Sequence, residues 1–181
     1  MSLHEKLAPR PFEILREIGI DAAHRIPHHT SKCRNLHGHR YRIQAVCRGA
    51  LHEDGEQRSM VLDFGFLKDE MMSEIDAPCD HGTILWSGDP VLVDLGRSGH
   101  LGAPLESIQA RAAEAGYLLT EWFGGKLYII PTIPTAENLA AHWHGRLAPR
   151  IAARSDGMAR LHQIRVWETP TCQAVFPSGD D

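Results

Sequence analysis

The stretch His37-Gly38-His39-Arg40-Tyr41-Arg42-Ile43-Gln44-Ala45-Val46-Cys47-Arg48 decides how the chain is read. Tyr41, Ile43, Ala45 and Cys47 alternate with Arg40, Arg42, Gln44, Val46 and Arg48, a period of two that marks a strand with one face in a core. Residues two apart on a strand point the same way, so His37 and His39 aim their imidazoles to one side. Upstream, Phe12, Ile14, Ile18 and Ile20 give a second alternating run that ends near Ala22, with His24 just beyond it. If the two strands are antiparallel neighbours, His24 brings a third nitrogen alongside the pair. Three neutral imidazoles with one position left open form the donor set of a catalytic zinc, although iron, manganese and nickel accept the same ligands.

Cys33 precedes the pair at Cys-x-x-x-His-x-His. Its thiol can be a fourth ligand, which closes the site, or a base or nucleophile beside the metal, and spacing does not choose between these. Asp80-His81 has the form of a proton relay in which a carboxylate orients a ring, and Glu168 stands at the end of a late strand where it can anchor a ligand. His28 and His29 read as spare residues of an exposed loop.

Outward from these residues, Asp63 is a good N-cap, followed by Phe64, Leu67, Met71 and Ile75 at helical spacing in a helix that stops before Pro78. Thr135 opens a second helix with Leu139, Trp143, Leu147 and Ile151 on one face. Strands are expected at Leu127–Ile130 and Leu161–Trp167, with a short last one around Ala174–Phe176. Residues 1 to 11, with two prolines, read as a loosely docked lead. Between Ser87 and Gly125 lies an excursion with a Gly/Pro-rich start and an amphipathic helix over Leu105–Phe123. It is too short to fold alone, so the whole chain, residues 1–181, is expected to form one domain with an insertion at about 87–126.

With 181 residues the chain suits a single domain, and counting Gly in place of Tyr raises apolar residues from 43% to about half, as in soluble globular proteins. A formal net charge of -4 excludes a global basic footprint for nucleic acid or anionic membrane. No apolar run is long enough to span a membrane. Four scattered cysteines with no C-x-x-C fit a reduced, cytoplasmic setting. Of twelve histidines, five fall within 16 residues, His24 to His39.

Together these pieces resemble the 6-pyruvoyltetrahydropterin synthase / 6-carboxytetrahydropterin synthase family. The matching stretches, in family order, are Ala22-Ala23-His24-Arg25-Ile26-Pro27, Cys33 to Tyr41, Met60 to Lys68, Asp80-His81, Pro134 to Leu139 and Glu168-Thr169. The resemblance implies an α+β tunnelling fold: a four-stranded antiparallel sheet with two helices on one face, its subunits joined into a homo-oligomer, usually a hexamer, with sites at subunit boundaries. It implies that His24, His37 and His39 bind zinc, that Cys33 is the catalytic base, that Asp80 and His81 form its relay, and that Glu168, with Thr135 and Glu137, holds the substrate.

The implied substrate is 7,8-dihydroneopterin triphosphate. Loss of triphosphate and acetaldehyde from it gives 6-carboxytetrahydropterin, a precursor of deazapurines such as queuosine. The short Cys-x-x-x-His-x-His loop favours this branch over the pyruvoyl-forming one. A pterin- or zinc-binding paralogue without turnover, and a zinc hydrolase, are the readings from other classes. Lys32, Arg34 and Arg25 are the candidate triphosphate contacts. The chain departs from the family at Ile20, where Phe is usual, at Cys79 (Leu), at Trp86 (Asn) and in the length of the excursion. Cys172 reads as a buried structural cysteine.

Overall fold

The computed structural model describes residues 11–179, so the lead expected over residues 1 to 11 lies, except for Pro11, outside the described residues. Strand β1 (Phe12–His24) pairs antiparallel along its whole length with β2 (His37–Gly49), Phe12 opposite Gly49 and His24 opposite His37. β6 (Ala159–Thr169) lies antiparallel on the other side of β2, and β7 (Cys172–Phe176) antiparallel on β6. These four strands form the antiparallel part of the sheet.

The sheet does not stop at four strands, however. β3 (Gly82–Trp86) adds in parallel to the end of β1, β5 (Gly125–Ile130) adds in parallel to β3, and β4 (Leu118–Trp122) closes the edge antiparallel to β5. The result is a seven-stranded mixed sheet in the order β4-β5-β3-β1-β2-β6-β7, in place of the expected four-stranded antiparallel one. β3 escaped the period-two criterion because strands buried on both faces run continuously apolar. Ile84, Tyr128 and Ile130 face one core, while Leu85, Leu127 and Ile129 face another.

The first core lies between the sheet and two helices on one of its faces. α1 (Phe64–Met71) is capped by Asp63, whose Oδ1 accepts from the backbone N–H of Gly65 at 2.6 Å and of Phe66 at 3.3 Å. The expected stop before Pro78 gives way to a wider turn over Met72–Asp76 and a last helical turn, α2 (Ala77–Cys79). Pro78 stands at the start of that turn, directly after the wider one. α5 (Ala136–Arg154) presents Leu139, Trp143, Leu147 and Ile151 to Leu67, Met71 and Ile75 and to the sheet residues Ile20, Ile43 and Ile164. Arg154 Nε reaches Glu70 Oε1 at 3.1 Å and Arg150 reaches Glu74 at 3.4 Å, tying α1 and the wider turn after it to α5.

The second core belongs to the excursion. α3 (Pro90–Arg97) and α4 (Leu105–Ala115) lay Leu92, Ile108 and Ala112 over Leu85, Leu127 and Ile129, on the sheet face away from α1 and α5. The helix expected over Leu105–Phe123 ends at Ala115 because Gly116 takes a left-handed φ of 78° as its cap, and the remaining residues become β4. Among the described residues, no helix is long and apolar enough to cross a membrane.

The outward face of β1 and β2 is polar and paired across the strands: Asp21 with Arg40, Glu17 with Gln44 at 2.6 Å, Glu13 with Arg48 at 2.9 Å. Such pairs reinforce the register that the apolar face sets.

One half-buried base shapes the acid response of the fold. The Tyr128 hydroxyl and His142 Nε2 share a hydrogen bond of 2.8 Å, and burial, then the Arg146 charge, pushes the His142 imidazole down to about 4. An imidazole held there when folded, but titrating near 6.5 when unfolded, takes its proton preferentially in the unfolded chain. Stability therefore falls as pH drops from 6.5 towards 4. Replacing His142 with Gln, whose amide can bond the Tyr128 hydroxyl as donor or acceptor, is expected to remove on the order of 2 kcal/mol of the stability difference between pH 7 and pH 4.5, measured by urea unfolding.

Candidate active site

The pairing of β1 with β2 assembles the histidines. His24 is the register partner of His37, and His39 sits opposite Ala22, two residues along on the same face. The ring centroids lie 4.7 Å apart for His24 and His37, 5.1 Å for His24 and His39, and 4.9 Å for His37 and His39. One ligand nitrogen from each falls within 4.8 Å of the others, which is a group able to hold a metal ion.

The outer nitrogens fix the tautomers. His24 Nδ1 donates to the Pro134 carbonyl at 2.7 Å and His37 Nδ1 to the Asn35 carbonyl at 2.8 Å, so each ring turns an unprotonated Nε2 toward the group. His24 Nε2 is buried with no hydrogen-bond partner, and Glu168 Oε1 stands 3.8 Å away. Burial is the largest cause that pushes His24 down to about 4; the bond to Pro134 opposes it, and His37 and His39 add to it. His39 is shifted the same way, by burial and then by His37 and Lys32. Burial that disfavours the charged forms of His24 and His39, together with three ring nitrogens within 4.8 Å of one another, suits a cation in their midst. Tyr41 closes the floor, its ring 5.8 Å from His24 and 5.6 Å from His39.

Cys33 lies on a single helical turn, Lys32–Arg34, between β1 and β2. It is half-buried, and its sulfur does not belong to the metal-holding group, whose three members are all imidazoles. The Ile26 N–H donates to the Cys33 carbonyl at 2.9 Å and closes the loop that carries the thiol.

Asp80 and His81 form the expected pair, with His81 Nδ1 2.7 Å from Asp80 Oδ2. Asp21, unremarked in the sequence, holds both. Its N–H donates to Asp80 Oδ1 at 2.9 Å, and its carbonyl accepts from the His81 N–H at 2.7 Å. The Asp80 carboxyl is held below the usual range chiefly by that Asp21 N–H, with burial opposing and His81 assisting. His81 adopts a left-handed φ of 55°, a strained conformation for a residue with a Cβ, which the two bonds to Asp21 keep in place.

His81 and Glu168 line different clefts. His81 lines one of about 550 Å³ with Asp21, Arg40, Trp122 and Lys126. Glu168 lines one of about 440 Å³ with Arg42 and Trp167. Gly38, His39 and Arg40 border both. Burial, and then the neighbouring Glu137, raises the Glu168 carboxyl above its usual range, against the pull of His37.

Other expected residues fall elsewhere. Thr135 Oγ1 accepts from the Asn138 N–H at 3.3 Å and so caps α5, a structural use of that hydroxyl. Arg25 turns to Asp89, while Lys32 and Arg34 are exposed. Cys172, expected to be buried, is exposed at the start of β7, where the tight turn from β6 leaves its side chain outside the core.

The sequence profile described as "6-pyruvoyl tetrahydropterin synthase" matches residues 13–178. The 6-carboxy-5,6,7,8-tetrahydropterin synthase of Haemophilus influenzae is 31% identical over 160 residues, 88% of this chain and 94% of that one. The protein of the same name from Rickettsia bellii is 31% identical over 157 residues, 87% of this chain and 94% of its own. Two solved structures share the fold. An uncharacterized protein of Wolinella succinogenes superimposes with a TM-score of 0.69 at 18% identity, covering 93% of this chain and 99% of that one. The 6-pyruvoyl tetrahydropterin synthase of Plasmodium vivax gives 0.59 at 17%, covering 92% and 96%. The profile spans nearly all of the described residues and the relatives agree along almost their full lengths: this chain belongs to the 6-pyruvoyl tetrahydropterin synthase family.

Proposed function

We propose that the protein converts 7,8-dihydroneopterin triphosphate and one water to 6-carboxytetrahydropterin, triphosphate and acetaldehyde, with zinc held by His24, His37 and His39. That it is an enzyme of tetrahydropterin synthase type follows from its family and its relatives. The carboxy-forming outcome is supported by the name shared by those relatives. The observation that carries the reading is the convergence of one ring nitrogen from each of His24, His37 and His39, with His24 Nε2 buried without a hydrogen-bond partner 3.8 Å from Glu168.

Zinc bound there would polarise the hydroxyl oxygens of the substrate side chain and acidify the neighbouring C–H and O–H groups. The protein's own groups then move protons and hold the ring. Cys33, as thiolate, takes a proton from side-chain carbon. His81, with its Nδ1 proton directed at Asp80, has Nε2 free to take a proton and return it, and the ionised Asp80 stabilises the cation formed in between. Glu168 presents two carboxylate oxygens to the pterin 2-amino group and the adjacent ring N–H, and this donor pair offsets the desolvation of the carboxylate.

Glu168 and His81 line separate clefts, which supports a site completed by a second copy of the chain, as in the hexamer expected from the family. A reducing cytoplasm suits a half-buried Cys33 and an exposed Cys172, both free. A role in supplying a deazapurine precursor such as that of queuosine completes the proposal. The pyruvoyl-forming reaction is the second reading, supported by the description of the matching family profile.

Two outcomes test this function. Cys33→Ala is expected to lower turnover of dihydroneopterin triphosphate by about 10²- to 10⁴-fold while metal content stays at the wild-type level, with products followed by mass spectrometry. Full turnover in that variant rejects Cys33 as the base, and a wild-type product with the three-carbon side chain retained selects the pyruvoyl branch. His39→Ala is expected to weaken zinc binding by at least about 100-fold, read by competition with a chromogenic chelator. Unchanged affinity removes the three-histidine site.

A further inference from the structure

We propose that Asp89 is a positioning residue: its buried carboxylate holds the Arg25 guanidinium and so fixes the loop that presents Cys33. The inference rests on Cys33 acting as the base.

Arg25 follows the last residue of β1, and Ile26, next in the chain, is bonded through its N–H to the Cys33 carbonyl. The backbone at Arg25–Ile26 and the backbone at Cys33 therefore move as one. Asp89 meets Arg25 from the excursion. Its Oδ1 accepts from the Val91 N–H at 2.9 Å and caps α3. Its Oδ2 stands 3.4 Å from Arg25 Nε, and among the described residues neither atom has a hydrogen-bond partner elsewhere. The Asp89 side chain is fully buried. If Arg25 swung away to bind triphosphate, it would strand a carboxylate out of reach of water, a costly state. The sequence-based candidacy of Arg25 as a phosphate contact is thus replaced by a structural commitment.

The rest of the excursion steadies Asp89. The Asp89 N–H donates to the Trp86 carbonyl at 2.9 Å, and Trp86 Nε1 donates to the Pro131 carbonyl at 3.1 Å. Gln109, from α4, donates to the Ser87 carbonyl at 2.9 Å. The Trp86 ring also meets His28 edge-on at 5.7 Å, a second contact onto the same loop. Residues 86–89 thus form a wall against which the 25–33 loop rests at two points, and α3 and α4 hold that wall. This gives the excursion a task in the chemistry without any contact of its own with substrate.

The test uses Asp89→Asn, which keeps the helix cap and the volume while removing the charge, and Arg25→Lys as a second variant. Three quantities are read: kcat and KM for dihydroneopterin triphosphate, zinc content, and the rate of Cys33 alkylation by iodoacetamide in a Cys172→Ser background, where the remaining thiols, Cys47 and Cys79, are buried. Asp89→Asn is expected to lower kcat about 10- to 100-fold with KM changed less than about two-fold, zinc retained and alkylation of Cys33 at least about three-fold faster. Arg25→Lys should follow it, and the double variant should be no worse than the more damaged single one. Wild-type kcat and alkylation rate in a folded Asp89→Asn protein overturn the proposal. So does a rise in KM confined to Arg25→Lys, which would make Arg25 a substrate contact. If the wild-type protein does not turn over this substrate, the proposed function fails by itself, and the alkylation rates alone decide whether Asp89 positions the loop.

Discussion

The antiparallel register of β1 on β2 is the constraint on which the site depends. His24 faces His37, and Ala22 faces His39, only because Ile18, Ile20 and Ala22 on one strand and Tyr41, Ile43 and Ala45 on the other share a buried face. A slip by one residue would turn every side chain of one strand to the opposite side of the sheet, sending its imidazoles out among the arginines. The charge pairs on the outward face, Asp21 with Arg40 and Glu13 with Arg48, hold the same register from the other side.

Around that frame, backbone groups do much of the orienting. Carbonyls of Pro134 and Asn35 choose the tautomers of His24 and His37, and both backbone groups of Asp21 clamp Asp80 and His81. These carbonyls and amides belong to the connection before α5, the turn before β2 and the body of β1. Parts of the chain distant in sequence are thereby brought to bear on rings whose own residue types carry the chemistry.

Much of this was legible from residue types and spacing. Histidines two apart in an alternating run, an Asp before a helical pattern and a Thr after Pro134 read directly onto the metal-holding group, the start of α1 and the start of α5. Less legible was whatever depends on who the neighbour is. Gly82–Trp86 has no alternation because both of its faces are covered, and the break at Gly116 was lost inside a helix-like pattern that continues into β4. Thr135 matched a family stretch, yet its hydroxyl is used as a cap, and nothing in the spacing of Arg25 and Asp89 hinted that they meet. Side chains can be grouped by period along a chain, whereas the identity of a partner some sixty residues away is decided by the folded topology.

The double-sided burial of β3 and β5 carries a consequence for how this architecture can be trimmed. Leu85, Leu127 and Ile129 owe much of their dryness to α3, α4 and the connection between them, since the other layer of helices sits behind the sheet. A homologous chain without those two helices would wear a greasy stripe on its exterior unless polar side chains took over these three places or a separate polypeptide lay down across them. Loss of the excursion and a change of character at these positions must therefore travel together through evolution.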